Sequence, residues 1–262
     1  MNPAFAERGQ RASVILLRDD VVVESPAPTW SHRMQIKVND IRVYYEIRGE
    51  GEPLVLINGL ANDITDNEAI IATLSTRYRV VAFDNRGAGR TDKPHTPYSI
   101  EMMAGDARAL MQAVDIDQAY VLGLSMGGRI ALELALQRPT MVKKLVLVST
   151  AARVVQTWQR SLLMNTLPRI PMFKGKYPQP YYAFARQREA SASYNCTDRL
   201  PELRAPTLIM HGKKDGLTPY RLAEEMQARI PGAKLLPFDG GHLFLYFKQK
   251  EFTDAVFDFL AV

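Results

Sequence analysis

Alternating apolar and polar residues run through MQIKV, pause at Asn39-Asp40 and resume in IRVYYEI. Two such runs about a turn-competent Asn-Asp pair predict a β-hairpin, and GEGEP then ends the second run as a turn. From Pro53 the pattern changes. Short, nearly continuous apolar runs, PLVLING, YRVVAFD, AYVLGLS, KKLVLVS, APTLIMHG and AKLLPFD, alternate with amphipathic stretches. Apolar runs without alternation predict strands covered on both faces. Their alternation with helical patterns predicts an α/β fold, a mostly parallel central sheet flanked by helices. Within IEMMAGDARALMQAV, Met102, Met103, Ala109, Leu110 and Ala113 recur at helical steps and mark the expected buried face.

Two intervals fall outside this rhythm. Residues 1–32 read as an N-terminal extension without a definable element. Residues 151–204 lack a strand pattern, are rich in proline, arginine and aromatics, and divide the core into residues 33–150 and 205–262. Insertions at the C-terminal ends of parallel strands are where open α/β sheets bind ligands. This interval is therefore expected to be a short helical lid, with Trp158, Tyr181 and Tyr182 as candidate substrate contacts.

Composition narrows the picture. A chain of 262 residues, 47% of them hydrophobic, can bury the core of one α/β domain. No apolar run approaches the roughly 18 residues of a membrane span. The single cysteine, Cys196, excludes an internal disulfide and, with no signal-peptide layout, makes the cytoplasm the expected location. The formal net charge of +5 is unevenly spread: Arg153, Arg160, Arg169, Lys174, Lys176, Arg186, Arg188, Arg199 and Arg204 crowd the lid interval. No zinc-finger spacing or aromatic RNA-binding strand accompanies them, so a nucleic-acid partner is not expected. Neither a cofactor nor a metal is expected: H-E-x-x-H, paired cysteines and an EF-hand loop are missing, and GLSMGGR lacks the Gly-Lys-Ser/Thr of a phosphate-binding loop.

The chemistry centres on Gly123-Leu124-Ser125-Met126-Gly127, a G-x-S-x-G pattern between an expected strand and an expected helix. Small residues there let the chain turn sharply and lift the serine off the sheet, whereas the alternative is a tight turn without chemistry. A serine hydroxyl needs a base, most often histidine. Of His32, His95, His211 and His242, the last follows Gly240-Gly241 beyond the final strand and is the preferred base. His211 reads as a strand-end residue satisfied locally. A base needs an orienting acid. Asp215, on the loop HGKKDGLTP, is preferred to Asp239, which reads as a turn former. Backbone N–H groups of Met126, at a helix start, and Leu60, freed by Gly59, are the candidate oxyanion donors.

These residues together resemble the α/β-hydrolase-fold family of the esterase, lactonase and carbon–carbon hydrolase type, from about Gln35 to Leu260. The segment DNRGAGRTDKP, Asp84 to Pro94, resembles the family's D-x-R-G-x-G-x-S, and Ser125, Asp215 and His242 follow the family's order. The resemblance implies that Asp84 and Arg86 brace a loop. Asn58-Gly59 stands where many members have His-Gly; Asn58 is expected to brace this loop or to border the substrate. A serine nucleophile argues against the dehalogenase and epoxide-hydrolase branches. The expected function is hydrolysis of a small-molecule carboxylic ester or lactone through an acyl-enzyme, the substrate having an apolar or aromatic body and, if the lid arginines bind it, a carboxylate. Cleavage of a carbon–carbon bond in a β-diketone-like acid, a cofactor-free oxygenase or peroxidase-like side activity, and a non-catalytic ligand receptor are the alternatives.

Overall fold

The structure, a computed structural model, describes residues 30–155, 162 and 176–261. Trp158, among the expected substrate contacts, lies outside them. Strands β1 (Trp30–Val38) and β2 (Ile41–Arg48) form the hairpin about Asn39, whose φ of 50° is the left-handed conformation that asparagine tolerates in turns. The strand begins at Trp30, three residues inside the interval read as an extension. Then follow β3 (Pro53–Ile57), α1 (Glu68–Leu74), β4 (Arg79–Phe83), α2 (Ile100–Ala113), β5 (Ala119–Leu124), α3 (Met126–Gln137) and β6 (Val142–Val148). The lid interval contributes α4 (Tyr181–Ser193); β7 (Thr207–Gly212), α5 (Arg221–Arg229), β8 (Lys234–Phe238), α6 (Phe244–Phe247) and α7 (Gln249–Ala261) complete the chain.

The eight strands form one sheet in the order β1-β2-β4-β3-β5-β6-β7-β8. The first two are antiparallel and the remainder run parallel. Both faces are covered. Val55 and Ile57 of β3 enter a core shared with α2, α3 and α5, while Leu54 and Leu56 enter a second core shared with α1 and α7. Burial on both sides explains why the central strands lack apolar–polar alternation. No helix among the described residues is long and apolar enough to cross a membrane.

The buried face of α2 differs from the expected one. Ile100, Met103, Ala104, Ala107, Leu110 and Met111 face the core, while Met102 and Ala113 are exposed. Asp106 interrupts the pattern because it too lies on the buried face, where its carboxylate takes hydrogen bonds from Arg86 Nε (2.6 Å) and Nη2 (2.9 Å). Arg86 also reaches Asp40 in the hairpin turn at 2.8 Å. Burial opposes the guanidinium's charge, yet these two carboxylates hold its pKa above its ordinary value. Arg86 thus ties together the hairpin, α2 and the loop after β4, and Asp84 fixes that loop from its other end. One Asp84 oxygen accepts from Ile64 N–H and the other from Arg90 N–H, each at 2.8 Å.

Replacing Arg86 by methionine should cost about 3–5 kcal/mol in urea-unfolding free energy, because Asp106 would remain buried without its partner. A loss below about 1 kcal/mol, within the range of ordinary surface changes, would show that the pair does not carry this junction.

Candidate active site

The turn between β5 and α3 is set by contacts that exclude side chains. A β-carbon on Gly127 would overlap the Ile57 carbonyl oxygen, and one on Gly123 would lie 2.5 Å from the Gly127 carbonyl oxygen. The chain must therefore reverse within one residue. That residue is Ser125, at φ 52° and ψ −113°, a conformation costing about 1–3 kcal/mol for a residue with a side chain. Two hydrogen bonds secure it: Ser125 N–H donates to Val148 O at 2.8 Å, and Thr150 Oγ1 donates to Ser125 O at 2.7 Å.

The structure brings Ser125, His242 and Asp215 into one line of hydrogen bonds. Ser125 Oγ–H donates to His242 Nε2 at 2.9 Å, and His242 Nδ1–H donates to Asp215 Oδ2 at 2.8 Å. The carboxylate can only accept, so it fixes the histidine tautomer that leaves Nε2 free to take a proton. Asp215 Oδ1 accepts from the N–H groups of Leu217 and Thr218, both at 2.8 Å. Burial alone would raise the Asp215 pKa, but hydrogen bonds from His211 and His242, the His242 charge and the Thr218 N–H hold it well below the carboxylate range. Asp239 is elsewhere, paired with Lys214 on the exposed surface at 2.8 Å.

The two expected oxyanion donors lie on two segments that meet at Ser125. Met126 N–H opens α3, whose dipole is positive at that end. Leu60 lies in a turn closed by Asn62 N–H to Gly59 O at 3.4 Å, against the serine: a β-carbon on Gly59 would be 3.5 Å from Ser125 Cβ. Neither Leu60 N–H nor Met126 N–H has an acceptor among the described residues. Ala61, third in this turn, has φ 63° while Leu60 does not have positive φ, the arrangement of a type II turn, in which glycine is the easy choice. Holding an alanine there costs about 1–2 kcal/mol.

The other expected contacts fall differently. Asn58 is fully buried, its amide spent on Phe83 O (3.0 Å) and on Asn67 (2.8 Å), so it braces the loop and cannot border the substrate. Tyr182 donates its hydroxyl to Lys93 O at 2.8 Å and stacks on His95 at 4.1 Å between ring centroids; both groups brace the lid. Tyr181, at the start of α4, is 66% exposed. His211 is satisfied only in part: Nε2–H donates to Thr218 O (2.7 Å) and lies 3.2 Å from Asp215 Oδ2, but Nδ1 is buried without a partner. Sequence reasoning missed Ser149, whose Oγ donates to His242 O at 2.8 Å and so holds the histidine loop against β6. The signal was present, since Ser149 and Thr150 are a polar pair ending an apolar strand at the same sheet edge.

A cavity of about 560 Å³ opens beside His242, lined by Leu217, Leu243, Phe244 and Phe247 together with Asp239 and Lys248. Among the described residues no group of three His, Cys, Asp or Glu side chains could hold a metal ion.

With this fold and site, the chain belongs to the alpha/beta hydrolase fold family, which matches residues 52–190 and 161–249. It is similar to a putative carbamate hydrolase of Azorhizobium caulinodans, 28% identical over 84% of this chain and 95% of that one. The solved enol-lactonase of Burkholderia xenovorans LB400 superposes with a TM-score of 0.80 at 27% identity, over 87% of this chain and all of that one. An esterase of Exiguobacterium antarcticum gives the same TM-score at 26% identity, over 88% of this chain and all of that one.

Because the Asp215 pKa is depressed on folding, its contribution to stability is complete above the unfolded value of about 3.9 and is lost as pH falls through the folded value. Urea midpoints of the wild type and of Asp215→Asn should therefore differ by a constant amount from pH 6 to about pH 5, and the gap should begin to narrow below about pH 4. A gap still unchanged below about pH 4 would contradict the depressed carboxyl.

Proposed function

We propose that this chain is a serine hydrolase of carboxylic esters or lactones. The observation that carries this reading is the unbroken line from Ser125 Oγ through His242 to buried Asp215, beside a helix N-terminus. In this mechanism Ser125 Oγ attacks the substrate carbonyl carbon while its proton passes to His242 Nε2, and Asp215 stabilises the resulting imidazolium. Leu60 and Met126 N–H groups bind the oxygen that becomes negative, a contribution of about 3 kcal/mol per donor. As the tetrahedral adduct collapses, the carbon–oxygen bond to the leaving group breaks and His242 returns the proton to that oxygen. Water then repeats the sequence on the acyl-enzyme, giving the acid and regenerating Ser125. For a lactone the leaving alcohol remains attached to the acyl chain.

The esterase and enol-lactonase likenesses support this substrate class, and the putative carbamate hydrolase supports hydrolysis more broadly. The apolar side chains of the cavity beside His242, Leu217, Leu243, Phe244 and Phe247, suit an apolar acyl or alkoxy chain. Two of the lid arginines expected to meet a carboxylate, as carbon–carbon cleavage of a diketone acid would need, are occupied. Arg153 and Arg199 are already paired with Glu225 and Glu133, each at 3.0 Å.

Turnover of p-nitrophenyl butyrate and of a γ- or δ-lactone by the wild type, reduced by at least about 10³-fold in Ser125→Ala, is the expected result. Undiminished turnover in that variant would overturn the proposal. If the cavity holds the chain, butyrate should exceed acetate in kcat/KM by about tenfold, since each buried CH₂ contributes about 0.8 kcal/mol. Equal values would contradict an apolar subsite.

A further inference from the structure

The lid helix α4 reaches the oxyanion turn through one buried side chain. Gln187 is fully buried, its Oε1 accepts from Ala61 N–H at 3.1 Å, and its Nε2 donates to Arg86 O at 2.7 Å. The orientation of this amide follows from its partners: Arg86 O can only accept and Ala61 N–H can only donate. Arg86, in turn, is fixed by Asp106 and Asp40. A rigid anchor thus lies on one side of the amide and a strained turn on the other.

The bond falls on the peptide that distinguishes the two common turn types. In a type II turn the central peptide, here Leu60–Ala61, is rotated by about half a revolution relative to type I, which lets the third residue return to negative φ. An alanine at φ 63° favours that return. Rotation would turn the Ala61 N–H away from Gln187 and put the Leu60 carbonyl in its place, with an acceptor then facing the Gln187 oxygen. The rotation leaves φ of Leu60 unchanged, so the Leu60 N–H, on the preceding peptide against Ser125, moves only if the turn as a whole is displaced once its anchor to Gln187 is lost.

We propose that Gln187 is a positioning residue that anchors the Gly59–Asn62 turn in its strained form through its own amide, and thereby keeps the Leu60 N–H placed beside Ser125 for the reacting oxygen. This rests on the serine-hydrolase reading above. Gln187 does not touch substrate in this proposal; both ends of its amide are committed to backbone. Two further side chains clamp the lid segment to the loop after β4, Gln179 Nε2 to Gly87 O (2.6 Å) and the Tyr182 hydroxyl to Lys93 O, but neither touches the oxyanion turn. They supply the control.

The test is the rate at which a fluorophosphonate modifies Ser125, followed by intact mass, because the phosphoryl oxygen occupies the oxyanion site whatever the natural substrate. Gln187→Leu should slow modification by about 10- to 100-fold, less than the 10²–10³ typical of losing a donor outright. Adding Ala61→Gly in that background removes the penalty on positive φ and should recover about 5- to 30-fold. Tyr182→Phe, which loosens the lid without touching the turn, should stay within about threefold of the wild type, the scale of one lost surface hydrogen bond. If Gln187→Leu does not fold, Gln187→Met, closer in shape, carries the same expectation. Wild-type rates in the Gln187 variant, no recovery with glycine, or an equal loss in Tyr182→Phe would overturn the proposal while leaving the serine-hydrolase reading intact. A wild type unmodified at Ser125 would instead overturn that reading, and this inference with it.

Discussion

The α3 backbone approaches β3 so closely that Gly127, against the Ile57 carbonyl, has no room for a β-carbon. Everything chemical follows from this contact. It forces the reversal at Ser125, which leaves the serine side chain at the sheet's C-terminal edge and aims the positive end of α3 at the same point. It also brings the Gly59–Asn62 turn beside Ser125 Cβ, because that turn continues directly from β3. The strain at Ser125 persists because hydrogen bonds from two directions, to Val148 and from Thr150, over-determine its backbone.

Around this corner, strand ends supply one part each. β7 leads to Asp215, whose acceptor capacity is met by two backbone N–H groups and two histidines, so it remains ionised although its side chain is fully shielded. β8 leads to His242, held from behind by Ser149 at the end of β6. β4 leads to the Asp84–Arg90 loop, which both anchors the lid and contacts the hairpin through Arg86. The hairpin, the lid and the reacting groups are thereby one connected body in which the loop after β4 is the common support.

The parts legible in the sequence were those whose geometry is local. Gly123, Ser125 and Gly127 lie within five residues, and their packing requirement is written directly in the residue types. The central strands were equally plain, because burial on both faces leaves an uninterrupted apolar run. The helix α2 was mis-phased because Asp106 occupies its buried face, and only its partner Arg86, twenty residues away, explains that. Between the two roles open to Asn58, loop brace and substrate border, the sequence does not decide, for a similar reason. An amide beside a glycine can face either way until Phe83 and Asn67 are seen to consume its hydrogen bonds. Gln187 offered no signal, since one glutamine in a basic, aromatic segment does not reveal that it lands on Ala61, 126 residues earlier.

The central claim is that acyl transfer passes through Ser125. It is tested most directly by acid-quenching the enzyme during turnover of an ester and mapping the peptides by mass. The account predicts a peptide containing Ser125 that is heavier by the acyl group and absent from Ser125→Ala. Turnover with no acylated Ser125 peptide, or with the acyl group on another residue, would contradict it.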